Sequence, residues 1–109
     1  MAYDKILAQR VREIMGGLPG LVEKQMFGGL SFMVNGNLAC GVIQDELIVR
    51  VGQQEYPAAL SKPHARVFDM SGRPMKGWVT VGSQGCRSED ALREWVRTGI
   101  DFALSLPEK

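Results

Sequence analysis

Reactive side chains are scarce in this chain. It holds one histidine, His64, and two cysteines, Cys40 and Cys86. A zinc site gathers three or four Cys, His or carboxylate ligands, usually from short paired spacings such as CxxC. Cys40 and Cys86 stand far apart with no such partner, so neither a metal centre nor a cofactor is expected. A thiol nucleophile needs a base beside it, and no local signature joins His64 to either cysteine. Net charge is also small: 13 Lys and Arg face 12 Asp and Glu, a formal +1. A dedicated nucleic-acid domain is strongly basic, which this one is not. Long apolar runs are missing, because Gly, Gln or a charge interrupts every window before it reaches the length of a membrane span. The opening residues, Met1-Ala2-Tyr3-Asp4-Lys5, lack the basic and apolar segments of a signal peptide. These absences together point to the cytoplasm, where free thiols are the default.

What is present suits one globular domain spanning residues 1–109. The chain has 109 residues, 45% of them hydrophobic and 23% charged, enough for a single two-layer core. Apolar residues at Tyr3, Leu7, Val11, Ile14 and Met15 predict an amphipathic helix over 3–15, with Asp4 in its first turn and Gly16-Gly17 ending it. Residues 25–51 predict an antiparallel meander. Asn35-Gly36 accepts the positive φ of a tight hairpin, Gln44-Asp45-Glu46 makes the next turn, and Leu47–Val51 is rich in β-branched residues. Gly28-Gly29 predicts a bulge or close backbone approach within the first strand. It lacks the GxxxxGK[ST] or GxGxxG context of a phosphate loop, since no helix follows it. A short helix limited by Pro57 comes next. Strands over 66–70 and 78–81 are joined by turn chemistry at Ser71-Gly72-Arg73-Pro74. Ser88 then caps a closing helix with apolar Ala91, Trp95, Gly99, Phe102, Ala103 and Leu106 at helical spacing, a core stripe. The predicted order is α-β-β-β-α-β-β-α.

Strand alternation assigns Leu38, Cys40, Val42, Leu47, Val49 and Val51 to the face that packs on the terminal helices. The opposite face receives Met33, Ala39, Ile43, Ile48 and Trp78, mixed with Ser31, Arg50 and Thr80. That is more apolar than a face turned to water requires; it reads either as the scattered apolar residues normal on surfaces or as a partner or self-association surface. Residues 62–76 carry Lys62, Arg66, Arg73 and Lys76 against Asp69 alone. Such a run is more commonly a solvated basic loop; as a cluster it raises the local potential toward a phosphate or an acidic partner, and Lys24 and Arg50 extend it if the strands bring them together. His64 is expected as an exposed loop residue. Cys40 is expected to be a small buried hydrophobe. Cys86, beside Arg87 and just before a helix start, stands where cationic neighbours and a helix dipole favour the thiolate, but it is expected as an incidental loop thiol.

One stretch is more specific. Met26-Phe27-Gly28-Gly29, followed by Phe32-Met33-Val34-Asn35-Gly36-Asn37-Leu38, resembles the signature of the TfoX N-terminal domain family, named for a regulator of natural transformation competence. The likeness continues through Leu47–Val51, the Pro63 region, Met75-Lys76-Gly77-Trp78-Val79, and the closing helix with Trp95-Val96 and Leu106-Pro107. The resemblance implies a two-layer α+β fold, with helices on one face of a five-stranded antiparallel sheet, similar to type III secretion chaperones. It brings no catalytic residue set that maps onto this sequence. The family's full-length regulators carry a further C-terminal domain, so this chain is read as the N-terminal domain alone, and a nucleic-acid role tied to that other half is not expected.

The expected function is a non-enzymatic regulatory module that binds a protein partner, with homodimerisation as one form. The candidate partner-binding residues are Lys24, Met33, Ile43, Ile48, Arg50, Arg66, Arg73, Lys76 and Trp78. The alternatives are a small enzyme using Cys86 or His64, or direct nucleic-acid binding through residues 62–76.

Overall fold

Asp4 caps the first helix rather than sitting in its first turn. In the computed structural model, which describes residues 3–26, 28–70 and 72–107, its carboxylate accepts from the backbone N–H groups of Ile6 and Leu7 at 2.8 and 3.1 Å. These are among the donors that a helix start leaves unpaired. Helix α1 therefore runs Lys5–Met15, burying Leu7, Ala8, Val11 and Met15, and Gly16 ends it at φ 58. Tyr3, predicted as helical, forms an isolated bridge with Gln44 instead.

Four antiparallel strands follow: β1 (Leu21–Met26), β2 (Gly29–Val34), β3 (Asn37–Ile43) and β4 (Glu46–Arg50). The predicted meander thus begins earlier and contains one strand more. Met26 pairs with Gly29, so Gly28 sits in a turn between two strands while Gly29 opens β2; the doublet is not a bulge within one strand, and the close backbone approach is at Gly29. Gly28 has φ +76, and a Cβ on Gly29 would fall 2.2 Å from the Val42 carbonyl oxygen. Phe27, part of the family-like stretch, lies outside the described residues. The Asn35-Gly36 hairpin forms as the sequence predicts, with φ of 53 and 83, the positive pair that a two-residue turn needs.

The bulge lies elsewhere. Phe32 pairs with Cys40 but Met33 pairs with Leu38, which leaves Ala39 without an opposite residue. This corrects two face assignments made by simple alternation. Ala39 joins the helix-side core beside Cys40, and Leu38 turns to the other face with Met33.

After α2 (Tyr56–Leu60), with Pro57 in its first turn, the chain forms β5 (Ala65–Met70) and β6 (Arg73–Val81). Met70 pairs with Arg73, so β6 starts well before Trp78, and Arg73 and Pro74 belong to the strand rather than the turn. Ser71 lies outside the described residues. A 3-10 turn (Ser83–Cys86) leads to α3 (Glu89–Ser105), whose cap Ser88 accepts from the Ala91 N–H at 3.0 Å.

The result is α+β, with one antiparallel sheet in the order β1-β2-β3-β4-β6-β5. The class and the one-sided helix layer are as expected, but the sheet has six strands rather than five. The element order becomes α1-β1-β2-β3-β4-α2-β5-β6-α3. The core joins Leu7, Val11 and Met15 of α1, Ala59 of α2, and Leu92, Trp95, Val96 and Ala103 of α3 to Phe32, Val42, Val49, Val79 and their neighbours. Hydrophobic burial between these layers is the main stabilising term. No helix among the described residues is long and apolar enough to cross a membrane.

Candidate partner-binding face

The sheet face turned away from the helices collects side chains by strand register. Ile48 pairs with Thr80 and Arg50 with Trp78 across β4 and β6, and Arg66 pairs with Thr80 across β5 and β6. Residues in register share a face, so Ile48, Arg50, Trp78, Thr80 and Arg66 lie together. Phe68, which no spacing signal in the sequence marks, joins them. Its ring stacks on Trp78 with centroids 5.7 Å apart and planes 21° from parallel. Ile48, Phe68, Thr80 and Leu38 are buried, while Met33, Ile43 and Trp78 are half-buried. The face is therefore less bare than alternation alone suggests, and among the described residues two depressions open on it or at its margin.

One is a groove of about 420 Å³ lined by Ile43, Glu46, Ile48, Arg66, Phe68 and Thr80. At its rim Arg66 donates from Nη2 to both Glu46 oxygens, at 2.6 and 2.7 Å. This pair spans from β5 to β4 across β6. The other is a cleft of about 270 Å³ that includes Arg50, Lys76, Trp78 and Phe102. The Arg50 guanidinium carbon lies 5.5 Å from the Trp78 ring centroid and 5.3 Å from that of Phe102, within cation–π range of both. Phe102 was expected in the core stripe of α3. It is half-buried, lies outside the core cluster, and packs against Gly52 at the end of β4. No spacing signal in the sequence distinguishes it from Trp95, because only the end of β4 decides where that ring goes.

The basic segment 62–76 does not act as one patch. Lys62 sits over Trp95 with Nζ 5.0 Å from the ring centroid, and 3.6 Å from a Glu94 oxygen, which places it on the helix side. Arg66 is held by Glu46. Arg73 and Lys76 are exposed on β6, and of these the structure brings Lys76 to Arg50. Lys24 lies on edge strand β1, three strands from Arg50, so it does not extend the cluster. Met33 is on β2, with β3 between it and β4.

Both thiols are buried. Burial pushes Cys40 up to about 12 and Cys86 up to about 11. Cys86 is thus not the loop thiol that its neighbours suggested. Arg10 donates to the carbonyls of Cys86 and Arg87 at 2.9 and 3.2 Å, and its charge favours the thiolate, but desolvation outweighs it. His64 is exposed, at φ 67. It occupies the third position of a turn in which the Ala65 N–H bonds the Lys62 carbonyl at 3.2 Å and Pro63 takes the second, a position where glycine is favoured. Among the described residues no three His, Cys, Asp or Glu side chains form a group able to hold a metal ion.

The family model for the TfoX N-terminal domain matches residues 13–103. No curated protein matches the chain.

Proposed function

The chain belongs to the TfoX N-terminal domain family, and from that membership we propose that it is a non-enzymatic, competence-regulator-like module that binds a protein partner through the helix-free face of its sheet. The observation that carries this reading is the Ile48–Phe68 groove on the open sheet face, with the Arg50 cleft at its margin where Phe102 of α3 supplies one wall, an apolar centre with polar edges. Burial that holds both thiols protonated favours binding over thiol chemistry. Self-association through the same face is the simplest such contact, and sedimentation at high micromolar concentration reads it.

The test is a photo-crosslinking side chain placed at Ile43 on the open face, and separately at the exposed Leu104 on α3, in cells that express the protein. A discrete protein adduct from position 43, absent from position 104, is the expected result. Adducts from both positions alike, or from neither, would refute the reading.

A further inference from the structure

The Arg50 cleft has the construction of a receptor for a planar anion. Resting on the partner-binding reading above, we infer that it takes a carboxylate from an acidic peptide segment whose apolar neighbours lie along the Phe68–Ile48 groove. Arg50 stands within 5.5 Å of the Trp78 centroid and 5.3 Å of the Phe102 centroid. Contact with ring faces steadies the guanidinium plane and leaves its N–H edges free for a fork-shaped acceptor.

Neither Arg50 nor Lys76 forms an ion pair among the described residues, whereas Arg66 on the same face is engaged by Glu46. The cleft is also shaped by backbone. Gly52 and Gly77 have φ of +86 and +92; a Cβ on Gly52 would meet the Phe102 ring at 2.5 Å, and one on Gly77 would lie 3.3 Å from the Gly52 backbone. Two bare backbone positions thus let the end of β4, β6 and α3 converge around the cation.

A carboxylate on a peptide fits this setting better than a nucleic-acid backbone. Phosphate chains require an extended cationic track. Here Arg66 is neutralised, and Lys24 lies three strand spacings away, roughly 14 Å. What adjoins the free cations is an apolar strip of Trp78, Phe68 and Ile48, with Gln53 in the cleft and Asp69 and the Arg66-paired Glu46 on the groove, two carboxylates that disfavour a polyanion lying along it. An Asp or Glu flanked by apolar residues matches both parts.

The probe is an acetylated, amidated pentapeptide with a central glutamate flanked by leucine and valine, and its twin with glutamine at the centre. Binding is followed by NMR on the Arg50 Nε–H and the Trp78 indole N–H. The glutamate peptide is expected to move both signals and to bind at least about tenfold more tightly than its twin, the scale of one charge-assisted contact. Arg50→Gln and Arg50→Lys should erase most of that ratio, because the lysine keeps the charge but loses the fork. Lys76→Gln should reduce the ratio severalfold, which keeps the test open should Arg50→Gln unfold. Lys24→Gln should leave the ratio unchanged.

Equal binding of the two peptides would overturn the inference. So would a short single-stranded oligonucleotide that displaces the glutamate peptide and binds more tightly than it. Equal peptide binding alongside adducts at position 43 removes the carboxylate site alone. A clear glutamate preference without those adducts removes the partner-binding reading alone.

Discussion

Gly99 of α3 rests on the backbone of Ala39 in β3: a Cβ on Gly99 would stand 2.3 Å from the Ala39 carbonyl oxygen and 3.0 Å from its carbonyl carbon. Ala39 is the residue that the β2–β3 bulge leaves unpaired, so an irregularity in the sheet and a missing side chain in the helix meet at one contact.

Replacing Gly99 with Ala sets that contact against helix propensity. Alanine favours the helix by about 1 kcal/mol, but the obstacle is backbone, which cannot swing aside as a side chain tip can. Gly99→Ala is expected to lower stability by about 1–3 kcal/mol, about 4–8 °C in Tm for each kcal/mol in a domain near this size. Thermal unfolding checks it, and an unchanged or raised Tm would contradict the close approach.

Arg12 of α1 grips Glu23 of β1 through two bonds, Nε to Oε2 at 2.6 Å and Nη2 to Oε1 at 2.7 Å. The Arg12 bond holds the Glu23 carboxyl below its usual 4.5. A lowered folded-state value means the native state binds the proton less well than the unfolded chain. This contribution is therefore complete above about pH 4.5 and is lost as pH falls through the folded value. Glu23→Gln should reduce stability at pH 7 by about 0.2–1 kcal/mol, the range for an exposed pair. The difference from wild type should fade in acid urea titrations.

Thiol reactivity gives a separate check. With Cys86 at about 11 and Cys40 at about 12, the native protein at pH 8 holds little thiolate. Alkylation should run at least about a hundredfold slower than for free cysteine, and both sites should react once the chain is unfolded. Rapid native labelling of Cys86, located by mass spectrometry, would reinstate a thiol-based activity.

His64 carries a side chain where its turn favours none. A left-handed conformation disfavours most side chains by about 1–2 kcal/mol, part of which glycine returns as lost chain entropy. His64→Gly should raise stability by about 0.5–1 kcal/mol in urea unfolding. A loss instead would mean that the imidazole makes a stabilising contact beyond the turn.

Much of the fold was legible because local chemistry decides it. Asn35-Gly36 dictates its hairpin, Ser88 its cap, and the period of α3 its buried side. The errors come from information that is not local. The sixth strand was missed because Gly28-Gly29 reads alike as bulge or turn until Met26 is seen paired with Gly29. Leu38 and Ala39 exchanged faces because alternation assumes an unbroken ladder. The apolar face was partly legible, as Ile48, Arg50 and Trp78 fall there by parity. Phe102 was not, since its ring leaves the core only because Gly52 gives it room. The basic run dissolved because Trp95 and Glu46, distant in sequence, claim Lys62 and Arg66.

The register of β4 with β6 has a kinetic meaning. Strands β1 to β4 are linked by tight turns, and β5 and β6 form a hairpin of their own, so each group closes over short stretches of chain. The seam between them, where Arg50 meets Trp78, joins segments separated by α2 and the whole of β5, so its contacts close a longer stretch of chain than those within either group. An occupant of the cleft would bridge both units. It would slow hydrogen exchange along β4 and β6 more than in the hairpin turns, coupling occupancy to the unity of the fold.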